Sequence, residues 1–93
     1  EDSDYKKIDD NNYIFEGRVM IQDLCKVMDL PTETFDAVKG ESDSLAGLVL
    51  ELAGDFPKPA AILTSGDFEF TVLEVAKNRL QKIKVFIKRQ YPI

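Results

Sequence analysis

The stretch from Ser44 to Pro57 reads SLAGLVLELAGDFP. Leu45, Leu48, Val49 and Leu52 recur at helical spacing and form one stripe. Ala46, Leu50 and Ala53 extend the apolar character around the cylinder, and Glu51 is the only charge before Asp55. A helix this apolar has to be covered on most of its sides. Gly54 is placed to be its left-handed C-cap, and Pro57 and Pro59 prevent continuation. At the other end, Ser42 or Asp43 is expected to accept hydrogen bonds from the first free N–H groups. Gly47 costs about 1 kcal/mol against alanine in a helix interior, which predicts that another backbone passes close by.

After this helix come the clearest strands, Phe68 to Val75 and Leu80 to Lys88, rich in Phe, Val, Ile and Thr. Ala76 to Arg79 joins them as a tight hairpin around Lys77-Asn78. In the last strand Ile83, Val85 and Ile87 share one face. Lys82, Lys84 and Lys88 share the other with Phe86, so one face is predicted to be buried. Ala60 to Thr64 reads as a short edge strand, with Ser65-Gly66-Asp67 as the turn that follows.

Before the helix, Tyr5 to Asp9 and Tyr13 to Glu16 flank Asp10-Asn11-Asn12, the pattern of a hairpin, and Gly17 breaks the strand. Val19 to Asp29 is predicted to be helical, with Ile21, Leu24, Cys25 and Met28 as its apolar stripe. Leu30-Pro31 ends it, because the residue before proline avoids the α region. Pro31 to Asp43 is a polar connector anchored by Phe35 and Val38. Residues 1–4 read as the end of a linker and residues 5–93 as one domain. The order of elements lacks strand–helix alternation. It therefore indicates an α+β fold with a small antiparallel sheet and two helices.

Ninety-three residues make a single small domain with a thin core. A net charge of −5 disfavours attraction to nucleic acid or to anionic lipid. No run approaches the length of a membrane span, and a lone cysteine without disulfides suggests a reducing compartment. The chain opens at Glu1 rather than Met, as expected of a piece or processed form of a longer protein.

Little in the chain supports catalysis. The absence of histidine removes the Ser-His-Asp triad, the Cys-His pair and His-ligated zinc from consideration. Cys25 sits on an apolar stripe, where a thiol acts as a small buried hydrophobe. The five glycines form neither GxGxxG nor GxxxxGK[ST], so they do not build a phosphate cradle. Glu33, Asp36, Glu41 and Asp43 miss the EF-hand spacing and read as solvated loop charge and helix capping. No catalytic or metal-ligating set is expected. Six of the twelve Lys and Arg residues lie between Lys77 and Arg89, a stripe suited either to a partner or to guarding the sheet against edge pairing.

From Tyr13 to Lys88 the chain resembles the CorC/HlyC C-terminal domain, also called the transporter-associated domain. The pieces are Phe15-Glu16-Gly17-Arg18, Asp23-Leu24, Ser44 through Glu51, Gly54, Phe56-Pro57 and Phe70 through Val75, with Arg79, Ile83, Val85 and Ile87 in the closing strand. Met20 stands where the family has a Ser or Thr cap, which predicts a looser helix start. Pro59-Ala60-Ala61 replaces a polar, glycine-bearing turn, which weakens the case for the third strand.

The resemblance implies a fold similar to the FAD-binding domain of the PCMH type. It also implies a place at the cytoplasmic end of a membrane protein, after a CNNM-type transmembrane region and a CBS pair. Such proteins are linked to magnesium and cobalt export and are often called hemolysins. The implied partners are the CBS pair and transmembrane region of the same longer chain, and a second copy in a homodimer. No nucleic acid is expected, and the membrane is reached only through the longer protein. On this reading the domain is a non-enzymatic regulatory module. Its expected surfaces are the Lys82, Lys84, Phe86 and Lys88 face and the acidic loop of Glu41 and Asp43. The alternative is a small-ligand domain binding FAD or another nucleotide, which rests on fold similarity alone, since the glycine-rich pyrophosphate loops are missing.

Overall fold

The computed structural model describes residues 4–77 and 79–88. The strands are β1 (Tyr5–Lys7), β2 (Asn12–Glu16), β3 (Ile62–Ser65), β4 (Phe68–Ala76) and β5 (Arg79–Ile87); the helices are α1 (Ile21–Val27) and α2 (Leu45–Ala53). The strands form one antiparallel sheet in the order β1-β2-β5-β4-β3. Asn78, at the centre of the expected β4–β5 hairpin, and Arg89, in the basic run, lie outside the described residues.

Among the described residues only one face of the sheet is covered. Tyr13, Phe15, Phe70, Val72, Ile83, Val85 and Ile87 point into a core closed by Ile21, Leu24, Cys25 and Met28 of the first helical segment and by Leu45, Leu48 and Val49 of α2. Fully burying each side chain of this size stabilises the fold by about 1.5–3 kcal/mol. The stripe read at helical spacing in the first helix is buried throughout; in α2 Leu45, Leu48 and Val49 are buried and Leu52, the fourth residue of its stripe, is half-buried. Phe35 anchors the connector, with its ring 4.8 Å from that of Phe68 and 5.9 Å from that of Phe70. Val38 packs beside it, half-buried.

The ends of the helices differ from expectation in three places. The N-cap of α2 is Ser44, whose Oγ accepts from the Gly47 N–H at 3.1 Å, and neither Ser42 nor Asp43 takes that role. Ser44 is the residue whose extended backbone precedes the first helical turn, which is what a cap requires. Gly47 is crowded by the Ser42 side chain, whose Oγ would lie 2.7 Å from an added Cβ, rather than by a passing backbone. Met20 caps α1 without a side-chain bond. The helix start is held instead from outside, by the Ile21 N–H donating to the Asp43 carbonyl at 2.7 Å. Gly54 is left-handed at φ 73°, and its N–H donates to the Leu50 carbonyl.

The third strand forms in spite of Pro59-Ala60-Ala61. Ala60 itself adopts φ 73°, the conformation that a glycine would supply. Its N–H donates to the Val72 carbonyl, and the Ala61 carbonyl accepts from the Val72 N–H, so the chain is already aligned with β4 when β3 begins.

A pair of compensating bulges interrupts the β4–β5 ladder. Val72 faces Ile83, then Glu74 faces Lys82, then Val75 faces Leu80, so Leu73 on β4 and Gln81 on β5 are each unmatched. The shift brings Leu80 into the core alongside Ile83, although the two are three residues apart. It also turns the Gln81 carbonyl to the Gly17 N–H, 2.9 Å away. Gly17 is buried here, and an added Cβ would run into the Leu80 carbonyl oxygen.

Gly17→Ala is expected to cost about 3 kcal/mol, seen as a large fall in the urea midpoint, because a backbone carbonyl cannot move aside as a side chain can. Ala60→Gly is expected to hold or raise stability by up to about 1 kcal/mol. The left-handed conformation costs an L-residue about 1–2 kcal/mol, and glycine's freedom when unfolded returns about 0.4–1 kcal/mol of that. A lower midpoint for Ala60→Gly would contradict this account.

Candidate interaction surface

The alternation of β2, β5 and β4 places every second side chain on the sheet face that no helix covers. The register lays these residues out in rows. Lys6, Ile14, Lys84, Thr71 and Ile62 form one row, Asn12, Phe86, Glu69 and Thr64 the next, and Glu16, Lys82 and Glu74 a third. Lys82, Lys84 and Phe86 thus stand together, half-buried by their neighbours, and Lys88 follows at the end of β5. They do not make a purely cationic stripe. Lys82 lies between Glu16 and Glu74, and the Lys88 Nζ is 3.3 Å from Glu69 Oε2. Lys84, between Ile14 and Thr71, has no carboxylate directly opposite. An exposed ion pair of this kind contributes at most about 1 kcal/mol, so these charges remain available to a partner.

Glu41 and Asp43 belong to the other side of the molecule, so the two groups of expected surface residues do not form one patch. Asp43 helps to line an open depression of about 490 Å³, together with Asp23, Glu33, Asp36 and Lys39. Glu41 lies outside this lining. Among the described residues no three side chains of His, Cys, Asp or Glu gather closely enough to hold a metal ion. Carboxylates around the depression would repel the pyrophosphate of a dinucleotide such as FAD.

Charge is divided between the layers. Between Ile21 and Asp55 there are eight carboxylates and two lysines, Lys26 and Lys39. Residues 4–18 and 58–88, which hold the sheet and its turns, carry seven acidic and nine basic side chains. The helical layer therefore accounts for the acidic balance of the chain, while the sheet is slightly positive. Sequence reading found the lysines of β5 but missed Glu16, Glu69 and Glu74 opposite them. Each lies on a different strand from the lysine that it faces, and the pairing register alone brings them together.

Among the described residues no helix is long and apolar enough to cross a membrane. The family model of the transporter-associated domain, CorC/HlyC, matches residues 6–89. The chain belongs to this family. Its fold superposes on the transporter-associated domain of a CBS domain protein from Porphyromonas gingivalis with a TM-score of 0.84 and 32% identity, covering 91% of this chain and 98% of that one. A region associated with a proposed Mg2+ and Co2+ transporter, CorC, from Neisseria meningitidis shares the fold at a TM-score of 0.75, with 18% identity over 91% of this chain and 99% of the other. The UPF0053 protein YegH of Escherichia coli is 29% identical over 94% of this chain, which spans only 16% of YegH. The family is known as a transporter-associated domain rather than as a class of enzymes.

In this transporter-associated domain Cys25 is fully buried. Burial pushes its thiol above the ordinary range; a hydrogen bond with the Thr34 side chain opposes that, and the nearby charges of Asp36 and Glu33 add to it. Since the folded pKa lies above the unfolded one, the stability that this group contributes is full below the ordinary thiol pKa and is lost as pH rises through the raised value. A thiol reagent such as DTNB is expected to label the native protein very slowly at pH 7 and at once in urea. Rapid native labelling at pH 7 would show that the thiol is accessible after all.

Proposed function

We propose that this domain is a non-catalytic regulatory and docking module of a longer, CBS-containing membrane protein. There it lies on the cytoplasmic side and modulates the transport of divalent cations such as magnesium and cobalt. The observation that carries this reading is the family match, joined to a relative at 32% identity that is itself part of a CBS domain protein. The uncovered sheet face supports it. Ile14 and Phe86 supply half-buried apolar area, and Lys82, Lys84 and Lys88 supply charge that the acidic helical layer cannot match. Such a face suits a neighbouring body with acidic and apolar groups, and the CBS pair or the membrane-proximal part of the same chain is the partner proposed. The acidic loop of Glu41 and Asp43 is proposed as a second, separate contact.

The test is made in the longer protein, measuring cation efflux in cells. Replacing Lys82→Glu, Lys84→Glu and Lys88→Glu together is expected to shift the cation concentration for half-maximal efflux by about fivefold or more, the usual size of a coupling between sites. Far-UV circular dichroism of the isolated variant should remain that of the wild type, since all three side chains lie outside the core. If efflux and its concentration dependence are the same in the triple variant, and also after removal of residues 5–93, the regulatory reading is wrong.

A further inference from the structure

The two edges of the sheet are not equivalent. On one side, β1 is three residues long and carries Lys6 and Lys7, which discourage another strand from pairing there. On the other side, β3 has no charged residue, and none occurs anywhere from Pro59 to Gly66. Ile62 on this strand is 61% exposed, more than any other large hydrophobic residue described.

The backbone of β3 points the same way. Ser65 faces Phe68 across the two-residue Gly66-Asp67 turn, Leu63 faces Phe70, and the Ala61 carbonyl accepts from the Val72 N–H. In an antiparallel ladder bonded and non-bonded pairs alternate. Ala61, Leu63 and Ser65 therefore direct their N–H and C=O groups to β4, and Ile62 and Thr64 direct theirs outward. Among the described residues no group bonds to these outward N–H and C=O groups.

We propose that β3 pairs antiparallel with β3 of a second copy of this chain, about a two-fold axis at Leu63. In that register Ile62 faces Thr64 of the second copy, and Thr64 faces its Ile62. Each pair exchanges two hydrogen bonds, so all the outward groups of both residues are satisfied on both copies. Ile62 then packs beside a threonine methyl on the uncovered face, a favourable cross-strand pair of β-branched residues. The two Leu63 side chains meet on the helix side, at the close spacing of a non-bonded pair. The two five-stranded sheets become continuous. A partner carrying charge would gain nothing from an uncharged edge, whereas this edge is complementary to itself in the hydrogen bonds of its outward backbone groups. Two strands of four residues make a contact that is small against the roughly 1,200 Å² of a stable interface, so the free chain is expected to dimerise weakly and a single change at the edge should weaken the dimer strongly. The inference stands apart from the role in cation transport.

Sedimentation velocity of the 93-residue chain from about 10 µM to about 1 mM tests it, a range suited to the small area. The expected result is a monomer–dimer equilibrium that Ile62→Lys weakens at least tenfold by placing like charges near the axis. Thr64→Pro should do the same, because the N–H it removes faces outward and the monomer can spare it. Lys6→Ala, at the opposite edge, should leave the equilibrium unchanged. A monomer throughout the range would overturn the proposal, as would a dimer that is indifferent to both β3 substitutions. If Thr64→Pro fails to fold, Ile62→Lys, whose side chain is exposed, still decides.

Discussion

The short backbone segment around Gly17 ties the two layers of this domain together. Its N–H donates to Gln81 in β5, and its carbonyl accepts from Ala46 at the start of α2. Two residues on, the Val19 carbonyl accepts from Leu45, and the Ile21 N–H donates to Asp43. The first N–H groups of both helices, which a helix cannot satisfy internally, thus find partners in the main chain. This explains how α1, with only seven residues and no side-chain cap, holds its place. It also explains why residue 17 has no room for a side chain. The approach that lets Gly17 reach Gln81 brings it against the Leu80 carbonyl.

The paired bulges at Leu73 and Gln81 are the counterpart of this junction in the sheet. Without them Gln81 would lie in the inward phase of β5, and a polar side chain would enter the core. With them Leu80 points inward, and the carbonyl of Gln81 is freed for Gly17. A local irregularity in one ladder thereby allows both tight packing and attachment of the helical layer. Among the described residues the core that results buries only one face of the sheet. The other face is left with interleaved lysines, glutamates, Ile14 and Phe86, opposite a helical layer rich in carboxylates. A domain divided in this way has a preferred orientation beside any charged neighbour.

Much of this was legible residue by residue. The helical stripes of Ile21, Leu24, Cys25 and Met28 and of Leu45, Leu48, Val49 and Leu52, and the alternation of Ile83, Val85 and Ile87, follow directly from periodicities of 3.6 and 2, with Leu52 only half-buried at the end of its stripe. The stop at Gly54 follows from its freedom to be left-handed. Capping is expected at Ser42 or Asp43 and falls at Ser44, because all three have side chains suited to it. The choice fell to whichever backbone is extended just before the first turn. The third strand is in doubt from the sequence because Pro59-Ala60-Ala61 replaces a polar, glycine-bearing turn, yet Ala60 takes the left-handed conformation and its N–H bond to the Val72 carbonyl aligns the chain with β4.

The order of elements, the apolar stripes of the two helices, the buried face of the last strand, the acidic balance and the family are legible in the sequence. All of these depend on local spacing or on short runs of residues. Which glutamates face the β5 lysines, where the Glu41–Asp43 loop lies relative to them, that Leu80 turns inward, and which backbone groups of the β3 edge point outward are settled by the tertiary structure. Those outcomes depend on register and on long-range backbone bonding. A slip of one residue in pairing exchanges the two faces of a strand without altering any local preference.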